Sequence, residues 1–306
     1  MIKYLIAFLL ILSIAACKKE KLEVVADFSV NYRKINAGEK IKFTDKSRNN
    51  PETWNWIFSG GNPMISEEQN PEVSYNTPGF YAVSLTVSNA DGNSSLIKSE
   101  YIEVVTFTCG NPIIDIRDYK LYETIAINNY CWMKENLNTG TYIQSNTTPA
   151  NNGIIEKYCF NNEPDKCNTY GGLYKWDEMM MYDNSSLNGI CPQEFFVPSQ
   201  TEINDLINYA GGFLIAGGKL KQDYSNFWDA PNFGASNEFG FEALGTGYLQ
   251  DDVFMNLHRN TFFGLSEEMN TLQAQSIMLS FDNAIATDTI INKNSAISLR
   301  CVRNLN

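Results

Sequence analysis

The side chains that could perform chemistry in this chain are few: one histidine, seven cysteines and scattered pairs of carboxylates. Nucleophilic catalysis of the Ser-His-Asp or Cys-His kind would have to use His258, which no recognisable motif surrounds. The lone histidine and the lack of a CxxC pair argue against a zinc site. The pairs Asp251-Asp252 and Glu267-Glu268 could serve a glycosidase, but sequence neighbours do not establish the facing geometry that this reaction needs. The sequence thus predicts no catalytic residue, no metal site and no cofactor.

Length and composition indicate the class of protein. A chain of 306 residues suggests two domains, and its 43% hydrophobic and 13% aromatic residues are enough to form a packed core. The formal net charge is −12 at pH 7. Because an acidic chain lacks the basic surface that phosphate backbones attract, the sequence predicts no nucleic-acid partner.

The N-terminus has the pattern of an export signal. Lys3 supplies a positive charge, and the apolar run over residues 4–14 is too short to span a bilayer comfortably. The run ends in Ile-Ala-Ala before Cys17, which resembles the lipobox of bacterial lipoproteins. The resemblance implies a signal peptide over residues 1–16, a diacylated Cys17 and a tether over residues 17–23. A membrane is then a partner, and the expected location is the bacterial outer membrane or cell surface. The alternative is an ordinary cleaved signal followed by a chance cysteine.

Export changes the interpretation of the other cysteines. An even number of cysteines in an oxidising compartment predicts disulfides rather than free thiols. Spacing alone leaves the pairing open. The six cysteines are Cys109, Cys131, Cys159, Cys167, Cys191 and Cys301.

Residues 24–105 have the pattern of an all-β sandwich. Short runs rich in β-branched and aromatic residues alternate with turn residues. In one of these runs Tyr81, Val83, Leu85 and Val87 share a face, as a half-buried strand requires. The predicted strands are 27–32, 40–45, 53–58, 81–88 and 100–105.

This segment resembles the polycystic kidney disease (PKD) domain, an immunoglobulin-like sandwich that acts as a spacer or weak binding module. Ser59-Gly60-Gly61 departs from the Gly-Asp-Gly turn that is usual in the family. Trp56 is expected to be the central core residue, because a small sandwich packs around one large aromatic. The matching motifs are Ala37-Gly38-Glu39, residues 43–47, residues 54–58, Asn70-Pro71, Tyr75, residues 78–81 and residues 88–92.

Residues 107–306 mix helical and strand patterns. Ser199 and Glu202 form a capping box, and apolar residues at helical spacing follow until Gly211. A short helix is expected to begin at Trp176. The rest of the segment predicts long loops, with strands over 239–245, 254–257, 262–266, 276–281 and 297–302.

The same segment resembles the Fibrobacter succinogenes major paralogous domain. The matching motifs are residues 131–139, 170–176, 191–192, 197–199, 237–241 and 298–303. The resemblance implies an α+β fold similar to C-type lectins and to formylglycine-generating enzymes. It also implies the disulfides Cys109–Cys131, Cys159–Cys167 and Cys191–Cys301. Two positions depart from the family: Phe196 stands where many members have histidine, and residues 263–266 replace a Trp-Ser-Ser motif.

A calcium-free ligand site is predicted in a region rich in glycine and asparagine. The aromatic faces of Trp228, Phe233 and Tyr248 could stack on sugars or hold a peptide, with Asn232 or Asn237 donating hydrogen bonds. The competing interpretation is that these aromatic residues fill a core that has little regular structure.

The leading hypothesis from sequence is a lipid-anchored surface protein in which a PKD-like sandwich presents a C-type-lectin-like domain. That domain would bind an extracellular glycan or protein without catalysis. An extracytoplasmic enzyme is the first alternative, although formylglycine-generating chemistry needs free thiols. A structural envelope component with one fixed partner is the second.

Overall fold

The computed structural model describes residues 21–183, 188–224 and 226–305. The predicted signal peptide and the lipidation residue Cys17 lie outside these described residues. Within the described ranges, no helix is both long enough and apolar enough to cross a membrane.

The N-terminal part is a β-sandwich of two sheets. One sheet has the strand order β1-β3-β6, and the other has the order β2-β8-β7-β4-β5. The predicted strands 40–45 and 53–58 have the bounds that the structure shows, while β2, β5 and β6 were not predicted. The strands are β1 (Phe28–Val30), β2 (Lys34–Asn36), β3 (Lys40–Asp45), β4 (Thr53–Phe58), β5 (Ile65–Ser66), β6 (Glu72–Ser74), β7 (Gly79–Asn89) and β8 (Gly92–Val105).

Trp56 is the centre of the sandwich core, as expected. Its side chain is fully buried, and its ring stacks on Phe58 at 5.6 Å between centroids. Phe28 and Phe43 contact the same indole from the opposite sheet. The indole Nε1 donates to the Glu68 carbonyl at 2.9 Å, so the one polar atom of this core residue has a partner.

The C-terminal part combines fourteen strands with four short α-helices among the described residues. Its largest sheet has the order β15-β21-β16-β18-β19-β20, with β17 paired to β16, and a smaller sheet has the order β11-β12-β22. The elements are β9 (Ile113–Asp115), β10 (Lys120–Tyr122), β11 (Thr124–Ile127), β12 (Tyr130–Met133), β13 (Thr141–Tyr142), β14 (Glu156–Lys157), α1 (Pro164–Tyr170), β15 (Leu173–Lys175), α2 (Trp176–Met179), α3 (Gln200–Tyr209), α4 (Phe213–Leu220), β16 (Thr246–Gln250), β17 (Val253–Leu257), β18 (Asn260–Asn270), β19 (Gln273–Ser280), β20 (Ala286–Asn292), β21 (Ala296–Ser298) and β22 (Val302–Asn304).

Helix α3 begins where the sequence predicts. The Ser199 side chain accepts a hydrogen bond from the Thr201 backbone amide. The Glu202 carboxylate accepts one from the Ser199 backbone amide at 2.8 Å. Ile203, Leu206 and Ile207 are buried on one face of the helix. That face packs on β18 and β19, which fixes the helix against the large sheet.

Two sequence predictions for this part are wrong. Residues 239–245 are a loop rather than a strand, because Gly240 and Glu242 adopt positive φ values of 69° and 56°. Residues 213–220 are a helix, although the two glycines within them disfavour one. Both glycines allow close packing: a Cβ on Gly217 would lie 2.4 Å from the Ile285 carbonyl oxygen, and one on Gly218 would lie 2.4 Å from that of Gly234.

Three disulfides join elements of this part, in the pairs that the family resemblance implies. Cys109–Cys131 ties the start of the segment to β12, and Cys159–Cys167 joins two residues that are 8 apart in sequence. Cys191–Cys301 joins residues 110 apart and attaches the loop before α3 to the C-terminal strands.

The junction between the two parts is held by partly buried polar contacts. The Glu39 carboxylate accepts from the Ile114 amide at 3.0 Å, and the Asn36 side chain donates to the Pro112 carbonyl at 3.0 Å. Ile114 packs into the core of the sandwich. The Tyr32 hydroxyl donates to the Tyr119 carbonyl across the same boundary. The sandwich is therefore attached to the C-terminal part by side-chain contacts as well as by the chain itself.

Candidate functional site

Trp228, the main aromatic residue of the predicted ligand site, lies in the core. Only 3% of its surface is exposed, and its Nε1 donates to the Ala243 carbonyl at 2.9 Å. The Lys221 ammonium lies 5.3 Å from the centre of its ring. The prediction that Trp228 stacks on a ligand is therefore corrected: the ring packs under the loop that follows α4.

Asn232 and Asn237 stabilise that loop instead of facing a ligand. Both adopt left-handed backbone conformations, with φ values of 44° and 45°. The Asn232 side-chain amide donates a hydrogen bond to the Gln222 carbonyl at 3.0 Å. The Asn237 side-chain oxygen accepts one from the Glu242 backbone amide at 2.9 Å. Phe233 is 59% exposed beside them. The structure does not bring these residues together with Tyr248.

Tyr248 lines a separate cleft of about 280 Å³, here called the Tyr248 cleft. Its ring meets that of Phe262 edge to face, with 5.0 Å between centroids. Among the described residues the lining carries no charge. The lining residues are Tyr248, Gln250, Phe262, Ile290, Ile291, Asn292, Ser295 and Ile297.

Neighbouring strands place the two rings side by side. β16 and β18 are parallel neighbours with Gly247 opposite Thr261, so the next residues, Tyr248 and Phe262, point to the same face. Gly247 is required there because its φ is 64° and a Cβ would lie 2.3 Å from the Met255 carbonyl oxygen. The site is therefore built on strands rather than on a loose loop.

A buried hydroxyl network supports these strands. Thr246 Oγ1 lies 2.8 Å from Thr261 Oγ1, and the Ser298 hydroxyl donates to Thr246 Oγ1 at 2.9 Å. All three residues are buried, so these hydrogen bonds form away from water and join β16, β18 and β21. Such a network fixes the position of the strands that carry Tyr248 and Phe262.

The Tyr248 cleft suits recognition by stacking and hydrogen bonding. Two aromatic rings provide apolar surface, and the side chains of Gln250, Asn292 and Ser295 provide donors and acceptors. Ile290 at the rim is 52% exposed. Pockets of this composition bind uncharged ligands through an apolar contact and a few oriented polar groups.

The residues weighed for catalysis have structural contacts. His258 Nε2 lies 2.7 Å from the Tyr170 hydroxyl. Asp251 and Asp252 form the turn between β16 and β17, with φ values of 50° and 63°. Glu267 accepts from the Gln200 amide at the start of α3, whereas the Glu268 carboxylate pairs with Lys293.

Sequence reasoning missed the burial of several cations, among them Arg300, Lys221 and Lys157. Arg300 is 1% exposed, and its Nε and Nη2 both donate to Asn136 Oδ1, at 3.0 and 2.7 Å. Burial lowers the pKa of Arg300 to about 9 and that of Lys221 to about 8. Burial also lowers the pKa of Lys157 to about 7, and the charge of Lys120 adds to this shift. Arg300 lies within a recognised motif, but no sequence signal marks either lysine as buried.

Three solved structures are each similar to between 27% and 37% of this chain. The PKD1 domain of the Vibrio cholerae metalloprotease PrtV is 28% identical, over 27% of this chain and 98% of its own, with a TM-score of 0.23. The PKD1 domain of Vibrio anguillarum Epp is 26% identical, over 28% of this chain and 100% of its own, with a TM-score of 0.24. A structure of carbohydrate-binding modules from the β-sandwich superfamily is 21% identical, over 37% of this chain and 46% of its own, with a TM-score of 0.26.

Comparisons with family models cover most of the chain. A search of curated proteins found no match. The PKD domain model matches residues 25–104. The Fibrobacter succinogenes major domain model matches residues 125–303, which is more than half of the sequence. The chain therefore contains a PKD domain and belongs to the Fibrobacter succinogenes major domain family.

Proposed function

We propose that this protein is a lipid-anchored surface protein that recognises an extracellular glycan or protein without catalysis. Cys17 carries the anchor, residues 24–105 are the spacer, and residues 107–306 are a recognition domain with a C-type-lectin-like arrangement. The ligand binds in the Tyr248 cleft. The observation that carries this proposal is the cleft itself, which is open, uncharged and lined by two aromatic rings among the described residues.

The chemistry of the cleft favours a neutral surface of a ligand. A sugar ring or an apolar side chain can lie against Tyr248 and Phe262, while Gln250 and Asn292 satisfy the polar groups at its edge. Because strands and a buried hydroxyl network fix the two rings, little side-chain freedom is lost on binding.

The path of the chain supports a spacer role for the sandwich. Leu22 is held at the β7–β8 turn, because its amide donates to Asp91 and its carbonyl accepts from Asn89. Strand β8 then runs from Gly92 to Val105, a length of about 40 Å at the usual rise per residue. An anchor at Cys17 and the recognition domain would thus lie at opposite ends of the sandwich.

The positions of the cysteines and carboxylates support binding rather than catalysis. All six cysteines after residue 106 form disulfides, so they do not provide the thiols that formylglycine-generating chemistry needs. Glu267 and Glu268 contact different partners, which is not the facing pair of a glycosidase.

A binding screen with a matched pair of variants tests the recognition role. The full chain in detergent is screened against immobilised glycans and envelope proteins. Tyr248→Ala should abolish saturable binding, whereas Tyr224→Ala, which removes a ring that is 66% exposed outside the cleft, should leave it unchanged. Equal binding by both variants, or no saturable binding by the unmodified chain, would exclude the proposed site.

A labelling experiment tests the anchor. Cells that express the protein are fed an alkyne-bearing fatty acid, and the protein is then extracted and coupled to a fluorophore. The unmodified chain should carry the label, and Cys17→Ser should lose it and leave the membrane fraction. A Cys17→Ser variant that keeps its label would contradict the assignment of the lipidated residue.

A further inference from the structure

Strand β20 forms an open edge of the large sheet. It pairs with β19 on one side and has no strand on the other among the described residues. Its pairing with β19 runs from Gln273 opposite Asn292 to Leu279 opposite Ala286 without a register shift. Helix α4 packs near its first residues, so the free part of the edge is residues 288–292.

The hydrogen-bond pattern shows which main-chain groups face away from β19. Just beyond β20, the Lys293 amide donates to the Leu272 carbonyl at 2.9 Å. Hydrogen-bonded and non-hydrogen-bonded pairs alternate along an antiparallel ladder. The amides and carbonyls of Asp288, Ile290 and Asn292 therefore point outward. The Asn292 carbonyl accepts from the Ser295 amide at 2.8 Å, which agrees with this direction.

The outward main-chain groups of Asp288 and Ile290 have no partner among the described residues. Natural edges are usually protected by lysine, proline or a bulge. The sequence of β20, Ala-Thr-Asp-Thr-Ile-Ile-Asn, contains neither lysine nor proline, and its pairing shows no bulge. Its one charged side chain is Asp288, whose carboxylate accepts a hydrogen bond from the Gln200 side chain at 3.0 Å. This edge is open to another strand.

A second cleft lies on the other face of β20. It measures about 460 Å³ and is here called the Gln275 cleft. Gln275 Oε1 is buried there without a hydrogen-bond partner among the described residues. The lining residues are Gln200, Asn204, Gln275, Ser276, Asp288, Thr289 and Ile290.

The two clefts meet at β20, where Ile290 lines both of them. Ile291 packs with Ile297, Tyr248 and Phe262, which line the Tyr248 cleft. Asp288 pairs with Ile277, which packs in the cluster of helix α3 on the opposite face. An extended strand laid along this edge would place alternate side chains into the two clefts, which is the geometry of peptide recognition by strand addition.

We propose that β20 captures an extended segment of a protein partner, which pairs with its outward edge at residues 288–292. This inference rests on the proposed recognition role of the Tyr248 cleft and names the class of ligand. The Tyr248 cleft takes an apolar side chain, and the Gln275 cleft takes a basic one beside the Asp288 carboxylate. The net charge of −12 also favours the approach of a basic segment.

Peptide binding with two matched controls tests this proposal. The probe is a set of labelled, acetylated and amidated heptapeptides that alternate lysine with one apolar residue, and fluorescence anisotropy reports binding to the full chain in detergent. At least one peptide should bind saturably. Its counterpart with N-methyl groups along the pairing edge should not bind, because these groups remove the donors that meet β20.

A proline on the open edge separates main-chain pairing from side-chain contact. Proline is tolerated where the amide faces outward, so Ile290→Pro should fold, as circular dichroism would verify. It should weaken peptide binding by about tenfold or more, whereas Tyr224→Ala, at an exposed position outside both clefts, should change it by less than about twofold. Equal affinity for the N-methylated peptide, or equal binding by the two variants, would overturn strand addition.

Other outcomes distinguish this inference from the proposed function. If no peptide binds saturably but a glycan binds in a manner that depends on Tyr248, strand addition fails and the recognition role stands. If the chain dimerises and Ile290→Pro abolishes the dimer, the occupant of the edge is a second copy and the proposal of a separate protein partner fails. If no peptide, glycan or envelope protein binds saturably, both proposals fail.

Discussion

Lys157 is a buried ammonium group with neutral hydrogen-bond partners. It is 6% exposed, and it donates to the backbone and side-chain oxygens of Asn138, each at 2.7 Å. Burial lowers the pKa of Lys157 from its ordinary 10.5 to about 7. In the unfolded chain the pKa returns to the ordinary value, so the unfolded state binds more protons between these two pH values. The free energy of unfolding should therefore rise with pH across that window.

Lys157→Met should make this rise smaller, because the variant has no amine to titrate at that position. Urea unfolding at about pH 7 and pH 9 measures the difference for the unmodified chain and for the variant. Lys40→Met, at an exposed position on β3, is the control and should keep the original rise. Identical pH dependence in all three proteins would show that Lys157 titrates normally in the fold.

Trp228 and Tyr248 should respond differently to truncation. Trp228→Ala should lower the free energy of unfolding by about 3–5 kcal/mol, because it leaves a large cavity and removes the hydrogen bond to Ala243. Tyr248→Ala should lower it much less, since Tyr248 is only partly buried. Urea unfolding of both variants checks this contrast. Equal destabilisation would mean that Tyr248 is as much a core residue as Trp228.

The residue types alone could not separate these two aromatic residues. Both stand in a segment rich in glycine and asparagine, and both could fill a core or face a ligand. What decides is the tertiary contact: Lys221 and the Ala243 carbonyl enclose Trp228, whereas Phe262 from another strand leaves Tyr248 at an open cleft. Tyr248 was therefore predictable as a candidate, but its partners on β18 and β20 were not.

Helix α3 depends on its first turn. Ser199→Ala should remove the cap at the helix N-terminus and lower the free energy of unfolding by about 1 kcal/mol. Ser199→Asp should keep most of the stability, because aspartate also accepts from the free amides. Thr201→Ala, two residues away at an exposed position, is the matched control for chemical denaturation. A loss from Thr201→Ala as large as that from Ser199→Ala would exclude a capping role.

Elements with local signals were predictable, and elements that depend on distant contacts were not. The capping box and helical spacing of α3 lie within a dozen residues, and the alternation of β7 is visible in its own sequence. Helix α4 contains two glycines that lower helix propensity, and it forms because those glycines permit contact with Ile285 and Gly234. Strand β20 was missed because its alternation is weak.

At the scale of the whole molecule, the Cys191–Cys301 disulfide closes the longest loop of the three. In the chain-entropy model it stabilises the fold by about 5 kcal/mol, against about 2.5 kcal/mol for the short Cys159–Cys167 loop. Replacing both cysteines of a pair by alanine should therefore lower the melting temperature more for the long loop. Calorimetry of the two double variants measures this order. The opposite order would indicate that local strain, rather than loop length, governs these disulfides.

The domain organisation was accessible from sequence because both family resemblances rest on motifs spread over their segments. The junction was not accessible, since Glu39 and Asn36 of the sandwich meet Ile114 and Pro112 only in the folded chain. These contacts attach the C-terminal part to the end of the sandwich opposite Leu22. The central claim that follows is that a membrane-tethered spacer presents the Tyr248 cleft to an external ligand.

Photocrosslinking on intact bacteria tests this claim most directly. A benzophenone amino acid replaces Gln250, which is exposed at the Tyr248 cleft, or Leu272, which is 65% exposed at the β18–β19 turn as a control. After irradiation, adducts are purified and identified by mass spectrometry. The account predicts a discrete adduct with one extracellular partner from position 250 and none from position 272. The same adducts from both positions, or none from either, would contradict it.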